Sequence, residues 1–241
     1  MMVITAGVMK AQAVMVQKAS ATSGASTFVT VVLGSGTTVS HYLIAVVMFN
    51  AAGSASNSIT TVTDSNSNTW TQAVISNDRN FPVAAIYYAP ISTSCATANC
   101  ETITISFTAT VDRNMTVAEY SGLTTFGALD QINHTENAGS TSLTSGNVTT
   151  TQALELMIGV AVPYSTTSPL PTAGAGWTSQ AAAAVGTAEC YIFEDQNVSS
   201  TGTYAATATS GFSPTATATA IATFKAAAAP SGGTIVRSVV Q

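Results

Sequence analysis

Apolar and polar residues alternate with a period of two along most of this chain, and helical periodicity is nearly absent after residue 20. Over residues 101–109, Ile103, Ile105, Phe107 and Ala109 share one face while Thr102, Thr104, Ser106 and Thr108 share the other, the pattern of a half-buried antiparallel strand. Residues 153–163 repeat it with Leu154, Leu156, Ile158, Val160 and Val162 on one face. The other face, Ala153, Glu155, Met157, Gly159 and Ala161, is small enough for a further layer to cover it. Over 215–224 the pattern sets Thr215, Thr217, Thr219, Ile221 and Thr223 against four alanines and Phe224, a strand thin enough on one side to lie close under a neighbour. Further strands are predicted over 28–33, 42–49, 83–89, 115–120, 143–150, 189–194 and 203–209. With turn signals at roughly 8 to 12 residue intervals, the pattern predicts an all-β chain folded as a two-sheet antiparallel β-sandwich, jelly-roll-like, with apolar terminal extensions.

Residues 59–74, ITTVTDSNSNTWTQAV, have two Thr/Val-rich arms around a cluster of turn formers, Asp64 to Asn68, and predict a β-hairpin. Asp64, Asn66 and Asn68 also alternate like the first three oxygen ligands of a calcium loop. The sixth position, where that loop needs glycine, is Thr69, and the twelfth, where it needs glutamate, is Ile75. A polar turn is the better reading, and no metal is expected.

The alternation closes at Phe224-Lys225, so the sandwich is placed at residues 11–225. A linker follows, AAAAPSGG with Pro230, Gly232 and Gly233, and then TIVRSVVQ, so that 226–241 reads as linker plus a β-strand tail. Ile235 and Val239 fall on one face of that strand and Val236 and Val240 on the other, which suits addition to the sheet edge of a partner. Residues 1–10 form a similarly apolar N-terminal extension. The stretch to Ala13 ends in an A-x-A pattern, but it lacks a basic start and Lys10 interrupts its apolar part, so it reads as mature chain.

Composition changes the picture in one respect. Only 7% of residues are charged, against a typical ~25%. Hydroxyls and amides keep this surface in water, few charges guard strand edges, and copies repel one another weakly. A net charge of −5 with six basic residues offers no footprint for a polyanion, so nucleic acid is not an expected partner. No apolar run reaches 18 residues, so no membrane-spanning helix is expected. Among three cysteines, Cys95 and Cys100 are spaced across a turn within disulfide reach, and a disulfide between them is expected; Cys190 reads as a small buried hydrophobe.

Candidate chemistry is sparse. Glu119 has the parity of Met115 and Val117, so it is expected on a buried face, where a raised pKa suits a general acid. A second acid would have to face it, and none of Asp112, Asp130, Glu194 or Asp195 is singled out, so a locally satisfied carboxylate is favoured. His41, at the mouth of a strand, and His134, in the loop-like INHTENAG, lie in no nucleophile motif. Trp70 and Trp177, with Tyr87, Tyr88, Tyr164 and Tyr191, are the rings able to stack on a sugar, although the indoles serve equally to plug the ends of a sandwich. Asn114, Asn133, Asn147 and Asn197 head N-glycosylation sequons.

The segments TVTDSNSNTWTQA, VAAIYYAP, VAEYSGL, ALDQ, LELMIGVAV and ATAIATFK together resemble a recurring class of secreted bacterial β-sandwich domains that read VTDS, NTW or NTY, EYSG, LD and LLIG along one domain. The resemblance spans residues 12 to 225 and contains no catalytic motif. It implies an extracellular or cell-surface sandwich without an activity to assign. The expectation is a structural protein, not an enzyme, with no cofactor: a self-assembling subunit of a surface filament or similar polymer, whose partners are other copies joined by strand addition from a terminal segment, either the N-terminal extension or the tail over 234–240. The alternative is a carbohydrate-binding or adhesin module docking surface polysaccharide on Trp70 and Trp177.

Overall fold

The computed structural model describes residues 12–50, 58–76 and 82–228. In chain order the strands are β1 (Val14–Val32), β2 (Tyr42–Asn50), β3 (Ile59–Asp64), β4 (Thr71–Ile75), β5 (Pro82–Pro90), β6 (Thr102–Ser121), β7 (Leu129–Asn137), β8 (Ser142–Thr144), β9 (Val148–Thr149), β10 (Glu155–Tyr164), β11 (Thr172–Ala173), β12 (Thr178–Val185), β13 (Glu189–Val198), β14 (Thr203–Tyr204), β15 (Thr207–Thr209) and β16 (Ala216–Lys225). No helix occurs among the described residues. One large sheet has the order β1-β6-β2-β5-β4, with β3 also on β6; the second has the order β12-β13-β10-β16-β7. Two small sheets, β11-β15-β8 and β14-β9, complete the fold, and the pairings are antiparallel throughout.

The large sheets face each other as a sandwich. Tyr42, Ile44, Val46 and Met48 of β2, with Ala84, Ile86, Ala118 and Tyr120, pack against Leu156, Ile158, Val160, Val162, Phe193, Ala218, Ala220, Ala222 and Phe224. The alanines of β16 thus face the opposing sheet, as their small size allows. The opposite face of β2 is buried too, because Leu43, Ala45, Val47 and Phe49 lie under Val29, Val31, Ile103, Ile105 and Phe107. The second half of β1, the first half of β6 and β3 therefore fold back over their own sheet, and the rings of Phe49 and Phe107 meet edge-on at 5.1 Å. The corner lies where the β1–β6 register jumps, from Ser26 opposite Val111 to Phe28 opposite Ser106; bulged residues let strands bend there.

The second sheet is covered likewise. Val148, Met157, Val198, Ala206 and Ile221, with Trp177 and Tyr204, form one cluster on its outer face, and Leu143, Ala161, Ile192 and Ala208 form another. The short strands β8, β9, β11, β14 and β15 supply this cover, which explains why the second face of β10 carries small residues. Gly159 marks the closest approach: a Cβ there would lie 2.8 Å from the Cβ of Ala206. With both faces of both sheets buried, β2 reads as a continuous apolar run.

Several expected elements differ. The hairpin over 59–74 does not form: β3 pairs with β6 and β4 with β5, so the turn between them is a corner from the folded-back layer to the main sheet. His134 lies on β7, not in a loop. The strand expected over 143–150 divides into β8 and β9 around Gly146, which has a φ of +74°, and that over 203–209 divides into β14 and β15. The extension over 1–10 and the tail residues Ile235, Val236, Val239 and Val240 lie outside the described residues.

Candidate functional site

Cys95 and Cys100 form the expected disulfide, with Cα atoms 5.9 Å apart. Beside it, the Asp64 turn is organised around the Asp64 carboxylate. Asp64 Oδ1 accepts from the backbone N–H groups of Asn66 (2.9 Å) and Asn68 (3.0 Å), and Oδ2 accepts from Trp70 Nε1 (2.7 Å). Asn68 Oδ1 accepts from the N–H groups of Ser92 and Thr93, which fastens the corner to the disulfide loop. Oxygens that face N–H donors are not arranged for a cation, and among the described residues no cluster of His, Cys, Asp and Glu has the makings of a metal site.

Trp70 and Trp177 are both half-buried. Trp70 packs on the cluster at the outer face of the first sheet and Trp177 on a cluster at the outer face of the second, so the two indoles lie on opposite outer layers. Tyr191 is buried with its hydroxyl 2.8 Å from Thr116 Oγ1, and Tyr88 sets its ring edge-on against Phe224 at 5.4 Å. Cys190 is buried and free, its thiol pushed up to about 12 by burial. Asn114 is buried, so its sequon is closed in the folded chain.

Glu119 is fully buried, as its parity indicated. Its carboxylate is met by Gln17 Nε2 (2.7 Å), the Thr38 N–H (3.1 Å) and His41 Nδ1 (2.7 Å), so it is a satisfied polar junction between β1, β6 and the segment before β2. His134 pairs with Glu136 at 2.9 Å.

Sequence reasoning did not foresee the burial of a set of carboxyls, Glu194 among them although it was weighed as a partner for Glu119: Glu101, Glu155, Glu189 and Glu194 are each at most 1% exposed. Burial raises the pKa of all four. Glu194 on β13 is pushed up to about 8 by burial, partly offset by backbone hydrogen bonds from Gly174 and Thr207. Glu155 lies beside Asp130, which pairs with Lys225 Nζ at 2.9 Å and accepts from Thr151 N–H at 2.7 Å. The available signal was a glutamate inside an otherwise apolar run, as in LELMIGVAV and AECYIFED.

The other feature is an edge. β1 is a 19-residue strand paired only with β6; among the described residues no strand takes its other side. Of the eight large hydrophobic residues exposed among those described, Val14, Val16, Phe28 and Val32 all belong to β1. Its one charge, Lys18, turns across the sandwich and donates to the backbone carbonyl and the side chain of Gln180, where a bulge interrupts β12. That lysine and bulge protect β12 and leave β1 unguarded.

Compared with known protein families, curated proteins and solved structures, the chain matches none of them. Among the described residues no helix is long and apolar enough to cross a membrane.

Proposed function

We propose that this protein is a structural, self-assembling subunit of an extracellular or cell-surface polymer, in which copies join by adding a strand to the outer edge of β1. The observation that carries the reading is that edge, long, unpaired among the described residues, poor in charge and bearing half of the exposed large hydrophobics. A donor strand gains main-chain hydrogen bonds from it, and apolar contacts set the register, with Val14 and Val16 along its first half or with Phe28 and Val32 beyond the corner. The donor is the segment 234–240 of a second copy, whose Ile235, Val236, Val239 and Val240 alternate as a strand requires. The disulfide and the resemblance to secreted sandwich domains support an oxidising, extracellular setting.

The polysaccharide-binding alternative has less in its favour. Trp70 has its N–H committed to Asp64, and Trp177 lies on the opposite layer, so the two cannot make one stacking platform.

Sedimentation and negative-stain microscopy of the full chain test the proposal. Polymers are expected, and Val16→Lys with Phe28→Lys, both at exposed positions, is expected to abolish them while leaving circular dichroism unchanged. Polymers undiminished in that variant would remove β1 as the acceptor, and a deletion of 230–241 that still assembled would remove the tail as donor.

A further inference from the structure

We propose that Lys225 and Asp130 are joined in the mature protein by an intramolecular amide bond, formed without any other reactant, with Glu155 carrying the protons. The inference stands apart from the assembly reading and rests on a constellation on three neighbouring strands. Glu155 on β10 is the direct cross-strand partner of Lys225 on β16, and β16 pairs on its other side with β7, which carries Asp130. The β7–β16 register slips by one residue beside this point, with Ala222 opposite Ile132 but Phe224 opposite Leu129. The additional residue in β7 turns the Asp130 side chain toward Lys225.

The three groups are placed for one reaction. Lys225 Nζ is 2.9 Å from Asp130 Oδ1, and the Asp130 side chain is only 2% exposed. Thr151 fixes that carboxyl by donating its N–H to Oδ2 at 2.7 Å and its hydroxyl to Oδ1 at 2.5 Å. Glu155 is 1% exposed; its Oε1 accepts from Gln152 N–H at 3.3 Å, and its carboxyl lies against the Thr223 hydroxyl and the Asp130 carboxyl, with Oε2 buried outside ordinary hydrogen-bond geometry. Two carboxyls side by side share a proton, and the more deeply buried one, Glu155, is where it is held. The raised pKa of Glu155, caused first by burial and in part by Asp130, agrees with that placement.

The step balances. Glu155 relays a proton from the Lys225 ammonium to the Asp130 carboxyl, and the neutral Nζ attacks Asp130 Cγ. The C–N bond forms, the C–O bond breaks, and the oxygen leaves as water with two of the three ammonium hydrogens. The third stays on the amide nitrogen, and Glu155 ends as it began. Nothing is oxidised or reduced. A fixed amine and carboxyl replace a bimolecular encounter, and the product exchanges two partly desolvated charges for a neutral amide, which removes the cost of keeping them there.

Intact-mass spectrometry of the full chain after reduction of Cys95–Cys100 tests this. The wild type is expected to weigh less than its sequence by the mass of one water, and a tryptic digest is expected to yield a branched peptide uncut at Lys225. Lys225→Arg keeps the charge without the nucleophile and is expected at full mass, as is Glu155→Gln. Wild type at full mass would overturn the proposal, and so would a water loss that persists in Lys225→Arg. A water loss that persists in Glu155→Gln would overturn the role given to Glu155.

Discussion

At the scale of single residues, this protein spends its few charges inside. Asp64 satisfies three donors of one turn, and Asp64→Ala is expected to lower stability by about 2–3 kcal/mol and to shift the emission of Trp70, whose N–H loses its acceptor. Thermal melting and tryptophan fluorescence check both. Glu194 gives a pH dependence of definite sign. Its folded pKa, about 8, lies above the ordinary glutamate value of 4.5, so the folded state holds the proton more tightly than the unfolded chain does. The stability this contributes is complete below about 4.5 and is lost as the pH rises through 8. Glu101, Glu155 and Glu189 shift in the same direction, whereas hydrogen bonds from Thr151 and Lys225 outweigh burial at Asp130 and hold its carboxyl below the usual range. The protein is therefore expected to gain stability on going from pH 8 to 5. Glu194→Gln is expected to flatten that gain by a few kcal/mol, as read by denaturant titration at several pH values.

At the scale of elements, strands buried on both faces and strands at edges wrote themselves into the chain differently. β2, β10 and β16 were legible because every turn of the pleat carries an apolar or small residue. β7, LDQINHTEN, and β12, TSQAAAAV, were not: each is an edge, exposing much of its length, and needs little hydrophobic alternation to be held by its one partner. The first half of β1 was hidden for the same reason. The hairpin expected around Asp64 failed because turn chemistry specifies that the chain turns, not which strands its arms then join. Burial of Glu119 followed from parity, but the partners Gln17 and His41 come from distant segments that no local pattern brings together. Gly159 tests the layer count at this scale. Gly159→Ala would set a Cβ 2.8 Å from Ala206 and 3.0 Å from Glu194 Cγ, and is expected to cost about 1–3 kcal/mol in denaturant titration through overpacking. A solvent-facing glycine would show no such cost.

At the scale of the whole molecule, a sandwich whose two sheets are each covered on their outer faces needs hardly any charged surface to fold, and the assembly reading follows from the edge this economy leaves open. The alternation predicted the all-β class and the sandwich, and the small second face of β10 left room for a further layer, but the strands of the layer over β10 could not be read because β8, β9, β11, β14 and β15 are two or three residues long. Those strands carry too few positions to show a period.

The scarcity of charge also governs how the folded protein meets a protease. Trypsin has only six basic residues to use, and it requires a stretch of chain drawn out of its pairing. Arg113 is fully buried in β6, paired on both sides by β1 and β2, and Lys225 ends β16 between β10 and β7. Native digestion is therefore expected to spare both bonds; gel analysis over time should show fragments cut after Arg113 only once the sandwich itself has opened, while the bond after Lys225, whose side chain the proposed amide occupies, stays uncut.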